Sequence, residues 1–387
     1  MSIALPNSRR NEDLAIVLTG GGARAAYQVG FLRCLARNLP DLRIPIITGV
    51  SAGAINAAYL ACHQGPLTEA VDRLSDLWFN LDVSKVFKVD AWSLAKNSAR
   101  WVLRLGGGGN PLAPRTRGLV DTSPLSHLLR KALLCPTGEI PGIARNLESG
   151  DLKALALVTV NYSTGQTVTW VQGCDIQTWS RPNRIGRNTR LTVEHVMASS
   201  ALPFFFPAIQ LDEDWFGDGG IRFAAPLSPA LRLGARRIIA ISTRYRSTPE
   251  EAATSVISGY PPPAQILGNL LNAVFLDALD EDVLRARRFN DLLTELPEDR
   301  RGGMQQVDML VLRPSQDLGA LAAEYEMQLP SAFRFLTRGL GTRETKSPDF
   351  LSLLMFQPDY LRRLIEIGEQ DADEHLDKMM RVLQVEV

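Results

Sequence analysis

The chain has 387 residues, with 42 Lys and Arg balanced by 42 Asp and Glu, and 45% of its residues are hydrophobic. That length fits one large domain with an appendage or two ordinary domains, and the composition allows a sizeable core. A formal net charge of zero excludes a global electrostatic pull toward nucleic acid or anionic lipid.

Residues 1–12 read as a polar, disordered tail. Leu14–Thr19 (LAIVLT) is a continuous apolar run, as expected of a strand buried on both faces. It is too short for the apolar stretch of a signal peptide, and no window approaches the ~20 apolar residues of a spanning helix. Three glycines follow, and Ala23–Asn38 then repeats apolar residues at helical spacing. Ile44–Thr48 is the next short strand and Gly53–His63 the next helix. Strand and helix alternating through short turns predict a mainly parallel sheet in a three-layer α/β/α fold.

Residues 65–121 break this rhythm and read as an insertion or lid. They hold an amphipathic helix at Thr68–Phe79, then Trp78, Trp92 and Trp101, a Gly106–Gly109 run read as a flexible loop, and Pro111 and Pro114. Three core tryptophans are the simpler reading of the aromatics; a lid over a lipid site is the alternative. Ser123 and Pro124 predict a helix start, with the serine as N-cap. Ala154–Asn161 and Gln166–Gln172 read as a hairpin, and Arg181–Arg190, with four arginines, as a solvated loop. Arg237–Thr243 and Val307–Arg313 supply core strands, with a single long helix over Ile266–Phe289 between them. Residues 13–315 read as one main domain, which the resemblance described below makes the catalytic one, and 316–387 as a helical C-terminal extension in which Pro358 opens a new helix.

Three motifs point to one chemistry. Gly49-Val50-Ser51-Ala52-Gly53 is G-x-S-x-G between a strand and a helix, where a sharp turn flanked by glycines projects a nucleophilic hydroxyl. Gly20-Gly21-Gly22-Ala23-Arg24 puts backbone N–H groups at a helix N-terminus, suited to an oxyanion or a phosphate. The same stretch matches a dinucleotide fingerprint. The acidic residue that fingerprint needs is missing, since the second strand runs straight into the serine motif. Gly217-Asp218-Gly219-Gly220 holds a carboxylate on a glycine-rich turn.

A serine needs a base. Of the four histidines (His63, His127, His195 and His375), only His375 follows Asp218, and it lies in a charged helical tail. A Ser–His–Asp triad is awkward in this order, whereas a Ser51–Asp218 dyad needs no histidine.

These motifs, in this order, resemble the patatin-like phospholipase family, especially its bacterial members. Gly118–Leu125, Ala198–Pro207 and Phe350–Ala372 add to the likeness, which runs from about residue 13 to 372. The resemblance implies a three-layer α/β/α patatin-like fold, with Ser51 and Asp218 as catalytic dyad, Gly49 and Gly53 in the nucleophile elbow, and Gly219 and Gly220 in the dyad turn. It implies an oxyanion hole at Gly20, Gly21, Gly22 and Ala23. Arg24 would hold a lipid phosphate or orient the glycine loop. Ala25 departs from the family, whose members commonly have glycine there.

The activity implied is acyl hydrolysis of a phospholipid or another acyl lipid, of the phospholipase A or lysophospholipase type. An acyltransferase using the same dyad and a non-catalytic lipid-binding module are the alternatives. No metal or cofactor is expected; Asp212, Glu213 and Asp214 read as a solvated turn rather than a calcium cluster. Four scattered cysteines without a CxxC pair fit a reducing compartment. A cytoplasmic protein in transient peripheral contact with membrane is therefore expected, with no nucleic-acid partner. The sequence sets no oligomeric state.

Overall fold

A computed structural model describes residues 12–106, 117–257, 259–275 and 277–384. The tail through residue 11 and the glycine run beyond Gly106 lie outside the described residues, as do Pro111 and Pro114.

Among the described residues ten strands form one sheet: β1 (Leu14–Leu18), β2 (Ile46–Val50), β3 (Ala154–Asn161), β4 (Thr167–Gly173), β5 (Ser180–Arg181), β6 (Arg184–Asn188), β7 (Ile209–Leu211), β8 (Asp214–Asp218), β9 (Arg237–Ile241) and β10 (Asp308–Leu312). The order is β10-β9-β1-β2-β3-β4-β6-β5, with β8 paired to β3 and β7 to β8. From β10 to β3 every pairing is parallel, while β3 meets β4 and β8 antiparallel.

The helices that position the site are α1 (Ala26–Asn38), α2 (Ala52–Cys62), α3 (Leu67–Phe79), α4 (Ala91–Gly106), α5 (Ser123–Ala132), α6 (Val193–Ser199), α7 (Ser228–Arg232), α8 (Pro263–Phe275), α9 (Ala278–Glu295), α10 (Ser331–Gly339), α11 (Asp349–Leu354) and α12 (Pro358–Glu374).

The central strands are apolar without polar alternation because both faces are covered. Leu14, Ile16, Leu18, Ile47, Leu155 and Leu157 pack with α1, α2 and α12 in one core. Ala15, Val17, Ile46, Ala154 and Ala156 pack on the other face against Leu227, Ala230, Leu279 and Val283, from or beside α7 and α9. This is the three-layer α/β/α arrangement with a mainly parallel centre.

Several local expectations are corrected. The stretch Ile266–Phe289 forms two helices, α8 and α9, rather than one. Arg181, Arg184 and Arg187 lie in the edge hairpin β5–β6, with the Arg187 guanidinium over Trp170, 5.6 Å from its centroid, while Arg190 lies beyond it beside Glu139. Thr122 rather than Ser123 is the cap residue of α5. Of the three tryptophans, Trp78 is buried, whereas Trp92 is 76% exposed. The C-terminal segment packs on the first helix. A Cβ on Gly30 would collide with the Ile365 carbonyl, and one on Gly368 with that of Tyr27, so α1 and α12 lie with backbones in close contact.

Candidate active site

Ser51 ends β2 and opens α2 with φ 57° and ψ −135°, a region that non-glycine residues seldom occupy. Strain of this kind persists only where neighbours hold it. Two α6-side hydroxyls do so: Ser51 N–H donates to Ser199 Oγ at 3.1 Å, and Ser200 Oγ donates to the Ser51 carbonyl at 2.9 Å. Ser199 Oγ in turn donates to Val158 O at 2.7 Å, fixing the elbow to β3. Gly49 and Gly53 permit the turn by packing; a Cβ on Gly53 would strike the Leu18 and Thr19 carbonyls.

The glycine turn between β1 and α1 lies directly beside the serine. A Cβ on Gly20 would come within 2.9 Å of Ser51 Cβ. Gly21 and Gly22 have φ of 148° and 55°, and a Cβ on Gly22 would collide with the Leu353 carbonyl of α11. Gly22–Ala25 is a 3-10 turn, so the N–H groups of Gly22 and Ala23 have no preceding carbonyl within it. The turn is tied from behind. Thr243 Oγ1 donates to Gly20 O at 2.6 Å, and Gln28 Nε2 to Thr19 O at 2.8 Å. A buried chain continues from Gln28 through Asn56 to Trp78 Nε1.

Arg24 is not the exposed phosphate-reaching side chain that was one reading of it. It is buried, and its Nε donates to Ser352 Oγ at 2.6 Å while its Nη2 meets Asp349. The guanidinium is committed to α11 and bolts the glycine turn to the C-terminal segment.

Asp218 closes β8, opposite Thr159 of β3, and is fully buried. Its N–H donates to Ala201 O at 3.1 Å, and its Oδ1 accepts from Gly220 N–H at 2.9 Å. Oδ2 has no hydrogen-bond partner of good geometry. Burial pushes the carboxyl up to about 7, opposed by the nearby Ser51 hydroxyl and by the Gly220 N–H. Gly219 lets the turn pass under β3, since a Cβ there would strike the Val158 carbonyl. Tyr162 lies across Gly217; burial and the Asp218 charge push its hydroxyl up to about 12.

None of the four histidines bonds Ser51 or Asp218. His195 sits in the cap of α6 with Thr192, edge-on to Trp170, and burial lowers it to about 4. His127 and His375 bond backbone carbonyls of their own helices, and His63 lies at the far end of α2 from Ser51.

A narrow cleft opens from Ser51, Gly21, Gly22 and Ser200. Its other walls are apolar: Trp78 and Leu81, Leu125, Leu128 and Leu129, Leu202 and Phe206, Leu353, Leu354 and Phe356. Sequence reasoning missed the contribution of Ser199, Ser200 and α11, although the stretches Ala198–Pro207 and Phe350–Ala372 that contain them had drawn notice. Asp212–Asp214 form the β7–β8 turn, where Asp214 accepts from Asn161. Among the described residues no cluster of three or more metal-ligating side chains occurs.

The family model of the patatin-like phospholipases matches residues 16–231, more than half of the chain, and that span contains the glycine turn, the serine elbow and Asp218. The chain belongs to the patatin-like phospholipase family. Comparison with curated proteins gives no match. Among solved structures, VipD from Legionella pneumophila is similar at 14% identity and a TM-score of 0.41, over 95% of this chain and 67% of that one. Human GIVD cytosolic phospholipase A2 bound to methyl γ-linolenyl fluorophosphonate and terbium chloride is similar at 15% identity and a TM-score of 0.45, over 99% of this chain. This chain spans 60% of that human protein. ExoU, in its complex with SpcU from Pseudomonas aeruginosa, is similar at 17% identity and a TM-score of 0.30, over 96% of this chain and 52% of that one.

Proposed function

We propose that this patatin-like protein is a lipid acyl hydrolase of the phospholipase A or lysophospholipase type, working through a Ser51–Asp218 dyad. Family membership supports lipid hydrolysis. The observation that carries the finer reading is a fully buried carboxylate, with one oxygen unpartnered, next to a strained serine at the mouth of an apolar cleft.

In this mechanism Asp218 Oδ2 takes the Ser51 proton as Oγ attacks the ester carbonyl. The oxyanion meets N–H groups of Gly21, Gly22 and Ala23, with Gly20 holding the turn against the serine; one such donor is worth about 3–4 kcal/mol in other enzymes. The tetrahedral intermediate collapses, the proton returns from Asp218 to the departing alcohol, and the acyl chain remains on Ser51. Water then attacks, losing its proton to Asp218, and the fatty acid leaves as the Ser51 hydroxyl re-forms. The apolar walls suit an acyl chain, because burying each methylene contributes about 0.8 kcal/mol.

Labelling with a fluorophosphonate probe tests the dyad. Wild type is expected to label, Ser51→Ala not at all, and Asp218→Asn far more slowly, each variant with native circular dichroism. Undiminished labelling of folded Asp218→Asn sinks the assignment of the base.

A further inference from the structure

Helix α4 presents an apolar stripe to the outside. At ~100° per residue, Trp92, Ala95, Ala99, Val102 and Leu103 fall within one narrow arc, and all five are exposed. Leu103 is 61% exposed. Toward the protein, the Asn97 amide donates to Leu119 O at 3.1 Å, and the Trp101 ring meets Phe204. Lys96, Arg100 and Arg104, spaced four apart, line one edge of the outward stripe, and the helix contains no acidic residue. Among the described residues no carboxylate pairs with these three cations or with Arg117. Arg100 and Arg117 also line a polar cleft of about 460 Å³ with Asn97, Pro207 and Asp121, the last paired with Lys88.

This surface continues into the proposed catalytic cleft. Phe204, 77% exposed and held at a φ of 62°, lies 6.5 Å from the Trp101 ring. Its neighbours Leu202 and Phe206 are cleft walls. An apolar stripe edged by unpaired cations matches a surface that has apolar depth and negative charge. An anionic bilayer offers both.

We propose that α4, with Phe204 and Arg117, is an interfacial docking surface that seats the protein on anionic phospholipid. The stripe enters the acyl region, while Arg100 and Arg117 meet headgroup phosphates. This rests on the lipid-hydrolase reading only for its purpose, and the two can fail separately.

The test compares the full-length wild type with two variants, Trp92→Ser/Val102→Ser/Leu103→Ser and Lys96→Gln/Arg100→Gln, all at exposed positions outside the proposed catalytic machinery. Co-sedimentation is measured with vesicles of phosphatidylcholine, alone or with 30% phosphatidylglycerol. Hydrolysis of monodisperse p-nitrophenyl butyrate is followed in parallel. Wild type is expected to bind the mixed vesicles and to lose binding at high salt. Removing two cations weakens binding about thirtyfold, and the serine variant loses tenfold or more through lost burial. Butyrate hydrolysis stays within twofold in both. Unchanged vesicle binding by both variants overturns the docking surface, as does a wild-type dimer in sedimentation velocity that the serine variant dissolves. Vesicle binding lost in the variants, with no hydrolysis of the butyrate ester by wild type, upholds the surface and counts against the hydrolase reading.

Discussion

Replacing Asp218 by asparagine removes an ionisable group from a fully buried position while keeping an oxygen for the Gly220 N–H. The ordinary carboxyl value of 3.8 applies in the unfolded chain, and burial raises it to about 7 in the fold. The folded protein therefore holds this proton more tightly than the unfolded chain does. Wild-type stability from this group is fully present below about pH 4, declines as pH rises toward about 7, and is flat above. Linkage puts the cost of ionisation at about 2 kcal/mol at pH 5 and about 4 kcal/mol at pH 8. Asparagine carries no such cost.

The variant is thus expected to be inactive yet more stable than wild type, by a margin that widens by about 2–3 kcal/mol between pH 5 and pH 8. Chemical denaturation of both proteins at the two pH values measures it. Titration of groups the two proteins share cancels in the difference. A margin independent of pH refutes the argument, because the carboxylate would then be ionised without penalty. A variant less stable at pH 8 refutes it more strongly.

Three further outcomes follow from the geometry. Turnover of a soluble ester, as kcat/KM against pH, is expected to rise with an inflection near 7, because a protonated Asp218 cannot accept the serine proton; a flat profile from pH 5 to 8 excludes Asp218 as base. Gly22→Ala puts a side chain at φ 55° and against the Leu353 carbonyl, a strain of about 1–3 kcal/mol before the clash. Its ester hydrolysis is expected to fall a hundredfold or more, and near-normal rates would show that the turn can shift freely. Arg24→Ala strips Asp349 of its cation and is expected to cost about 3 kcal/mol in denaturant unfolding. Arg24→Lys should not restore this in full, since one ammonium cannot serve both Ser352 and Asp349 in the same geometry.

What was legible in the sequence is local. The run Leu14–Thr19 needs no partner to announce a strand buried on both sides, and G-x-S-x-G marks a sharp turn by its own glycines. Asp218 drew notice on its glycine-rich turn, and its proposed role as base rests on the family resemblance together with the awkward order of the histidines. The groups that hold Ser51 in its strained turn were not legible, because Ser199 and Ser200 lie 148 and 149 residues further along the chain. A serine at the end of a helix looks the same whether it faces solvent or another turn. Arg24 misled for a related reason: a basic residue after a glycine turn suggests an anion, and the chain supplies that anion itself at Asp349. The outward stripe of α4 was not read from the sequence, where Trp92 and Trp101 alone drew notice, and spacing does not say which face of a helix meets the core.

In the proposed dyad the same burial serves the chemistry and opposes stability. Raising Asp218 toward 7 narrows the gap between its proton affinity and that of a serine hydroxyl, so under the proposed mechanism the proton would move less steeply uphill as Oγ attacks. A solvated aspartate near its ordinary value would be ionised at neutral pH but far weaker as a base. Further elevation would leave it protonated and idle. Histidine meets this requirement without burial, at its unperturbed value. An aspartate meets it only where the surroundings exclude water, as β3, β8 and the Gly219–Gly220 turn do around Asp218. Substitutions that admit water to this corner should therefore lower the apparent pKa and the rate together, although they touch neither reacting atom.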